Sequence, residues 1–283
     1  MPNPIADPFV EVPDTDATSD LVQIEGGPDG GASGDVTVWI SRPAKKNAFD
    51  STTIAALHQA FETIHGQDHV RIVFLRGRGG NFSAGADLDW MRSAFDLTEA
   101  ENHADAMALA RMLKQLYELR PLTVAVVEGG SFGGGVGLVA AADAAIATKD
   151  ARFGFTEVKL GILAATISPY VIRAIGPKLA KILFATGRLF DAAYAEKIGL
   201  VQEVVADAEA LEAAQKRWLA DVKVCAPGAV SEAKRLVDDV VDRPIDHHLM
   251  DETARRIAAA RVSAEGREGI RAFLDKRKPN WIG

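Results

Sequence analysis

One carboxylate in this sequence stands in surroundings that suit proton transfer. Glu157 lies within residues 153–161 (FGFTEVKLG), where several neighbouring side chains are aromatic or aliphatic. Burial among apolar groups raises the pKa of a carboxyl group towards neutrality, and such a group can act as a general acid or base. A glutamate at the exposed tip of a loop is the alternative interpretation, and it is preferred unless other motifs supply a binding site.

A glycine-rich motif offers the electrostatic part of such a site. Residues 129–137 read GGSFGGGVG and stand between a predicted strand and a predicted helix. The first N–H groups of a helix have no partner within it, and together with the helix dipole they favour a bound anion or oxyanion. The same glycines would also allow close packing of the helix on the strand, so both interpretations stay open.

A second turn of small residues, NFSAGAD at 81–87, follows another predicted strand. Ala84, Gly85 and Ala86 leave room for a ligand to approach the backbone, and Asp87 is suited to cap the next helix. Taken alone, this pattern is also typical of a tight strand-to-helix turn that binds nothing.

A nucleophilic serine is the main competing interpretation of the glycine motif. Residues 129–133 match the pattern GxSxG, with Ser131 as the nucleophile and with His247 and His248 further along the chain. Both histidines lie in a highly charged segment, PIDHHLMDETARR, where exposed side chains are expected. The sequence contains neither GxGxxG nor GxxxxGK followed by Ser or Thr, so nothing local supports a dinucleotide or ATP site.

These motifs need a framework of strands and helices to bring them together. The sequence predicts strands at about residues 21–25, 36–41, 71–77, 122–129, 144–148 and 200–205. It predicts helices at about 51–64, with Asp50 or Ser51 as the cap, and at 98–119, 134–142 and 169–186. Strands that alternate with helices predict a parallel sheet with helical crossovers, and from Asp207 onward the pattern is helical only.

Composition excludes several classes of protein. The chain has 283 residues, 48% of them hydrophobic and 25% charged, which is typical of a globular protein of one or two domains. Its net charge of −7 gives no general attraction to nucleic acid or to an anionic membrane. Cys225 is the single cysteine, and no Cys/His cluster has metal-ligand spacing. We therefore expect a metal-free protein of the cytoplasm.

The start of the chain and its longest apolar stretch support the same expectation. Residues 1–20 hold five acidic residues, four prolines and no Lys or Arg, which predicts a flexible acidic arm rather than a targeting segment. The apolar stretch at 121–147 is interrupted by Glu128 and Asp143 and contains six glycines, which disfavours a membrane helix. We expect no membrane partner and no nucleic-acid partner.

Taken together and in this order, the motifs resemble the enoyl-CoA hydratase and isomerase superfamily, the crotonase family. The likeness covers about residues 20–283. It rests on RPAKKNA at 42–48, FSAGAD at 82–87, GGG at 133–135, FGFTE at 153–157 and EGIRAFLDKRKP at 268–279. Within the superfamily, residues 89–91, 131–138 and 160–170 look most like the methylglutaconyl-CoA hydratase branch.

The resemblance implies a catalytic mechanism for the site. The thioester oxygen of an acyl-CoA would lie between the backbone N–H groups of Ala86 and Gly134, and Glu157 would move the proton. In the two-carboxylate hydratases of the family, one glutamate takes the position of Gly137 and the other that of Glu157. Only the second of these carboxylates is present in this sequence.

The resemblance also implies substrate contacts. These involve the small-residue motifs, the helix after the first of them, the lysine loop and the tail: Ala84, Asp87, Leu88, Trp90, Phe132, Gly133, Gly137, Lys45, Phe273 and Lys276. Lys45 and Lys46 are candidates for phosphate contacts, with a solvated loop as the alternative. Coenzyme A would enter as part of the substrate, and no separate cofactor is implied. The sequence departs from the family pattern at Ala164, usually proline, and at Glu128, usually Asn or Gln.

We therefore expect an α/β protein with a crotonase-like core of repeated ββα units and a helical C-terminal extension. Its expected parts are the arm at 1–20, the core at 21–206 and a trimerisation region at 207–283, in a homotrimer or hexamer. The expected activity is hydration of a 2-enoyl-CoA, with a branched glutaconyl-type acyl group as one candidate. Isomerisation by the single Glu157 is the nearest alternative. A serine hydrolase using Ser131 and a CoA- or RNA-binding protein without catalysis are more remote ones.

Overall fold

The computed structural model describes residues 20–26 and 34–282. Residues 1–19 of the predicted acidic arm at 1–20 lie outside these ranges, as do residues 27–33. The described residues form nine strands: Val22–Glu25 (β1), Asp35–Ile40 (β2), Ile72–Gly77 (β3), Leu122–Val127 (β4), Gly130–Phe132 (β5), Ala144–Thr148 (β6), Arg152–Gly154 (β7), Leu189–Asp191 (β8) and Glu203–Val205 (β9).

Helices alternate with these strands and then follow them alone, which confirms the predicted fold class. The described α-helices are Ser51–His65 (α1), Leu88–Ser93 (α2), Glu99–Tyr117 (α3), Gly134–Ala141 (α4), Ser168–Thr186 (α5), Ala192–Lys197 (α6), Ala208–Lys223 (α7), Pro227–Val240 (α8), His247–Val262 (α9) and Ala264–Leu274 (α10). None of the helices in the described ranges is long and apolar enough to cross a membrane.

Two sheets position the motifs. The larger has the strand order β1-β2-β3-β4-β6-β9, and every pair except antiparallel β1 and β2 runs parallel. The smaller has the order β5-β7-β8, with β5 and β7 parallel. Because parallel strands end at the same edge of a sheet, the chain leaves β3 and β4 side by side and enters the two small-residue motifs there.

The sequence pattern of α1 shows how the core forms. Asp50 caps the helix by accepting a hydrogen bond from the Thr53 N–H, as predicted. Ile54, Leu57 and Phe61 recur at helical spacing and are fully buried between the helix and the sheet. Each such side chain contributes roughly 1.5–3 kcal/mol of burial free energy.

Two predictions about elements need correction. The sequence pattern predicts one strand through residue 129, but the chain turns after Val127 and starts the separate strand β5. The predicted continuous helix at 169–186 is interrupted at Gly176, whose φ of +77° and ψ of 158° are not helical, with Pro177 directly after it. Proline removes a helical hydrogen bond, which explains the break there.

The C-terminal helices attach to the core through α7, whose Leu211 and Ala214 are buried against the sheet, and through α8. Lys234 donates hydrogen bonds to the carbonyl oxygens of Leu119 and Pro121 and lies 2.6 Å from Asp143. The start of α8 is in turn bonded to Glu265 of α10, which accepts from the N–H groups of Gly228 and Ala229. The tail is therefore anchored to the ends of α3 and β4.

Candidate active site

The N–H group of Ala86 is left free by the way its loop is bonded. Phe49 pairs with Ala86 as in a parallel sheet: its N–H donates to the Gly85 carbonyl, and its carbonyl accepts from the Asp87 N–H. In such a pair the hydrogen-bonding groups of the bridged residue point to the other side. Ala86 is exposed, and its N–H donates to no atom of the described residues.

The N–H group of Gly134 is free for a different reason. Gly134 is the first residue of α4, so no helical carbonyl precedes it. Gly133 before it has φ +50° and ψ −118°, a conformation that glycine tolerates best, and its own N–H donates to the Gly154 carbonyl. Within the described ranges, nothing accepts a hydrogen bond from Gly134.

Close backbone packing brings the two loops together. A Cβ atom on Gly85 would lie 2.7 Å from the carbonyl oxygen of Phe132, so only glycine permits this approach. A Cβ atom on Gly134 would lie 3.0 Å from Cε2 of Phe49. The ring of Phe49 therefore packs against one donor residue while its backbone pairs with the other. A side chain at 134 would press on this ring.

Glu157 lies beside the second donor loop. It begins a short 3-10 turn, Glu157–Leu160, shortly after β7, and a Cβ atom on Gly133 would lie 3.1 Å from its Oε1. Its Oε2 is buried without a hydrogen-bond partner among the described residues. Burial raises the pKa of Glu157, and a hydrogen bond from its own backbone offsets only part of that effect. Glu157 is thus a partly desolvated carboxylate beside the glycine that precedes a free N–H donor.

The space beside Gly137 is already occupied. A Cβ atom on Gly137 would lie 2.2 Å from Cγ2 of Ile167, and Ile167 is only 3% exposed. The space that a side chain at 137 would take is filled by Ile167, and glycine itself brings no carboxylate to this position. One carboxylate, that of Glu157, therefore remains next to the donors.

Asp87 has the predicted capping role, and its carboxylate is fully engaged within the chain. It accepts from the Asp89 N–H and forms ion pairs with Arg42 and Lys45, each at 3.0 Å, while its side chain is 2% exposed. Burial alone would raise the pKa of Asp87, but the hydrogen bonds from Lys45 and from the Asp89 backbone, with the nearby cations, hold it below its ordinary value. Asp87 thus holds the loop, with its carboxylate bonded to groups of the chain itself.

Lys45 lies in the same cluster of charges. Its ammonium is 2.8 Å from Asp89, and these two acidic neighbours, Asp89 and then Asp87, raise the pKa of Lys45 above its usual value. It is therefore a charged group next to the first donor loop, while Lys46 is exposed. A phosphate bound by Lys45 would have to compete with Asp89.

The serine-hydrolase alternative is contradicted. Ser131 lies in β5, is fully buried, and its Oγ has no hydrogen-bond partner in the described part of the chain. A nucleophilic serine needs a base within hydrogen-bond reach. His247 and His248 are exposed at the start of α9. The GxSxG match arises because the strand and glycine turn that precede α4 happen to contain a serine.

The other predicted contact residues divide into two groups. Ala84, Leu88, Trp90 and Phe132 lie on or directly after the donor loops, and the Leu88 side chain is 73% exposed. Phe273, which is 82% exposed, and Lys276 lie at the end of α10. In the described part of this single chain, no hydrogen bond or ion pair joins these two residues to the donor loops.

The departure at Glu128 has a structural explanation. Arg76 on β3 is buried, and its guanidinium lies 3.0 Å from Oε2 of Glu128 just after β4. The same guanidinium also bonds Gln215 and Glu212 of α7. A buried cation needs a paired anion, so the acidic residue at 128 compensates Arg76.

Sequence reasoning missed three residues that shape this site: Arg42, Phe49 and Ile167. Arg42 opens the RPAKKNA motif, Phe49 directly follows it, and Ile167 lies within the segment 160–170, but these motifs did not indicate that the three side chains hold or restrict the site. No group of three His, Cys, Asp or Glu side chains in the described ranges could hold a metal ion.

Comparison with known proteins agrees with this geometry. Residues 32–283 match the family model described as enoyl-CoA hydratase/isomerase. Enoyl-CoA hydratase ACTT6 of Alternaria alternata is 32% identical over 243 residues, which cover 85% of this chain and 78% of that protein. A crystal structure of an enoyl-CoA hydratase from Shewanella pealeana has a TM-score of 0.88 at 35% identity, covering 94% of this chain and 99% of the other. Pseudomonas aeruginosa AtuE has a TM-score of 0.87 at 35% identity, covering 93% and 100%.

Proposed function

Because this chain belongs to the enoyl-CoA hydratase/isomerase family, the crotonase superfamily, we propose that it hydrates the 2,3 double bond of an acyl-CoA thioester. One observation carries the proposal. The free N–H of Gly134 follows directly on Gly133, and a Cβ atom on Gly133 would lie 3.1 Å from the Glu157 carboxylate. Anion donors and a proton carrier therefore lie next to each other.

The two N–H groups supply the electrostatic part of the mechanism. Addition of water at C3 of an enoyl thioester places negative charge on the thioester oxygen as an enolate forms. In the proposal this oxygen accepts hydrogen bonds from Ala86 and Gly134. Removing one donor of this kind typically lowers the rate by roughly 100- to 1000-fold. Main-chain donors need no particular side chain, which accounts for the small residues at both positions.

Glu157 supplies the acid and base part. In its ionised form it removes a proton from the water that attacks C3, and it then returns a proton to C2. Its raised pKa suits both steps, because a carboxyl group that is hard to ionise is a stronger base than an exposed one. One group thus serves as base and then as acid.

Isomerisation is the second candidate, and a specific observation favours it. Position 137 is a glycine, and Ile167 fills the space beside it, so this position supplies no second carboxylate. A single base can move a proton between C4 and C2 of an enoyl thioester without adding water. Hydration and isomerisation would share the donors and Glu157 and would differ in whether water occupies the site.

The choice of acyl group is open to a direct comparison. The sequence likeness to the methylglutaconyl-CoA branch supports a branched glutaconyl-type substrate. The exposed side chain of Leu88 and the nearby Trp90, Phe132, Ala84 and Lys45 are the proposed contacts for the thioester and the CoA chain.

The proposed assembly follows from the tail. Residues 207–283 form the proposed trimerisation region, beyond a core at 21–206, in a homotrimer or hexamer. Phe273 is 82% exposed, and together with Lys276 it would contact CoA bound to a neighbouring subunit. Coenzyme A is part of the substrate in this proposal, and no other cofactor is required.

A panel of CoA thioesters tests the proposal. Crotonyl-CoA, 3-methylcrotonyl-CoA, 3-methylglutaconyl-CoA and a 3-enoyl-CoA such as 3-hexenoyl-CoA are each incubated with the protein, and the absorbance of the conjugated double bond is followed. Mass spectrometry of the product separates hydration, which adds one water, from isomerisation of a 3-enoyl-CoA, which leaves the mass unchanged. Hydration of at least one thioester is expected. Absence of turnover with every thioester would overturn the proposed function.

A further inference from the structure

We propose that Arg42 is a positioning residue for the two N–H donors, an inference that rests on the proposed function. Its side chain is 12% exposed, and Nη2 lies 2.8 Å from Oδ2 of Asp50 and 3.0 Å from Oδ2 of Asp87. Nη1 also donates to the Ala48 carbonyl. One guanidinium therefore joins two carboxylates that come from separate loops.

Each of the two carboxylates belongs to the residue that follows one partner of a backbone bridge. Asp50 directly follows Phe49, and Asp87 directly follows Ala86, while Phe49 and Ala86 form the isolated parallel bridge. Arg42 thus links the two chain segments directly after the bridged residues. The direction of the Ala86 N–H depends on this bridge, because the bonds on both sides of Ala86 go to Phe49.

The side chain of Phe49 also contacts Gly134, whose N–H group is the second donor. The Phe49 ring lies against Gly134, with Cε2 3.0 Å from the position that a Cβ atom there would take. A shift of Phe49 would therefore disturb both donors together. A misplacement of about 1 Å in an active site lowers the rate by about 100-fold, so a group that fixes both donors has a large effect on the rate.

The arrangement also selects arginine over lysine. Asp50 and Asp87 each use their other oxygen to cap a helix, α1 and α2 respectively. The fork of a guanidinium has enough donors to reach both carboxylates and the Ala48 carbonyl, whereas an ammonium is a single point of charge. Lys45 already contacts Asp87, so charge alone is not what Arg42 adds.

The test compares Arg42→Met and Arg42→Lys with a matched control, Arg71→Met. Arg71 is half-buried and bonds the carbonyls of Val222 and Cys225, but it lies just before β3, at the opposite end of that strand from the donor loop. Two quantities are measured: kcat and KM for crotonyl-CoA, and the enolate absorbance of bound acetoacetyl-CoA. The enolate of this 3-ketoacyl thioester is stabilised by the same donors, so its fraction reports their placement.

We expect Arg42→Met to lower kcat by about 10- to 100-fold with little change in KM, because the donors act in the transition state. The enolate fraction is expected to fall in parallel, Arg42→Lys to recover part of both, and Arg71→Met to change neither. Arg42→Met values equal to those of Arg71→Met would overturn the inference.

A further variant tests the inference even if Arg42→Met does not fold. Asp87→Asn keeps an acceptor for the Asp89 N–H, and with it the helix cap, but removes the charge that Arg42 holds. It must also lower kcat and the enolate fraction, and wild-type values would overturn the inference. If the wild-type protein itself neither hydrates an enoyl-CoA nor enolises acetoacetyl-CoA, the proposed function fails. Normal behaviour of the variants in an active protein overturns only the role of Arg42.

Discussion

Cγ2 of Ile167 lies 2.2 Å from the position that a Cβ atom on Gly137 would occupy. A side chain at 137 would overlap Ile167 unless Ile167 moved, and glycine itself brings no carboxylate to this position. The small residue at 137 accommodates a neighbouring side chain, and it does not widen the acyl pocket.

The competition of a side chain at 137 with Ile167 for one space can be tested by measuring the free energy of unfolding. Gly137→Ala is expected to lower the free energy of unfolding by about 1–3 kcal/mol, because even a Cβ atom overlaps Ile167. Ile167→Ala alone should cost about 2–5 kcal/mol as a cavity. In the double variant the overlap is relieved, so its loss of unfolding free energy should be smaller than the sum of the losses in the two single variants. Urea unfolding of the four proteins measures this coupling. Additive losses, or a stabilising Gly137→Ala, would show that the two residues do not compete for one space.

Gly133 provides a second prediction, about catalysis. Gly133→Ala would place a methyl group 3.1 Å from the Glu157 carboxylate at a backbone with φ +50°. We expect kcat to fall by about 10- to 100-fold, because the carboxylate must move. Gly176→Ala is the matched control, since Gly176 also has a positive φ, +77°, but nothing lies within 4 Å of its Cβ position. Equal kcat values for the two variants would mean that backbone strain alone matters.

Local signals predicted much of this fold. The Asp50 and Asp87 caps and the buried face of α1 could be read because residues within a few positions determine them. Strands β5 and β8 could not, since three residues are too few to show a period of two.

Contacts between distant residues set the rest of the site. Arg42 bonds Asp87, 45 residues further along the chain, and the packing of Ile167 on Gly137 joins α4 to the residue that precedes α5. No sequence pattern of the single chain encodes either contact. The motifs therefore indicated the donors and Glu157, whereas the residues that hold or restrict them required the three-dimensional structure.

The raised pKa of Glu157 predicts a pH-dependent stability difference. Because burial raises its pKa above the usual 4.5, the folded protein binds this proton more tightly than the unfolded chain does. Ionisation of Glu157 therefore lowers stability as the pH rises from the unfolded value through the folded one. Relative to Glu157→Gln, the wild-type protein should lose stability across this range and keep a constant difference above it. Urea unfolding of both proteins between pH 4 and pH 8 tests this, and a difference that does not vary with pH would contradict the raised pKa.

The most direct measurement of the central claim is the turnover of crotonyl-CoA by Glu157→Gln. The substitution keeps the size of the side chain but removes the base, so kcat should fall by about 100-fold or more, in line with acid and base contributions in other enzymes. Binding of butyryl-CoA, which has no double bond to hydrate, should be unchanged, because it depends on the N–H donors and the CoA contacts. A folded Glu157→Gln protein that hydrates crotonyl-CoA at the wild-type rate would contradict the assignment of Glu157 as the proton carrier.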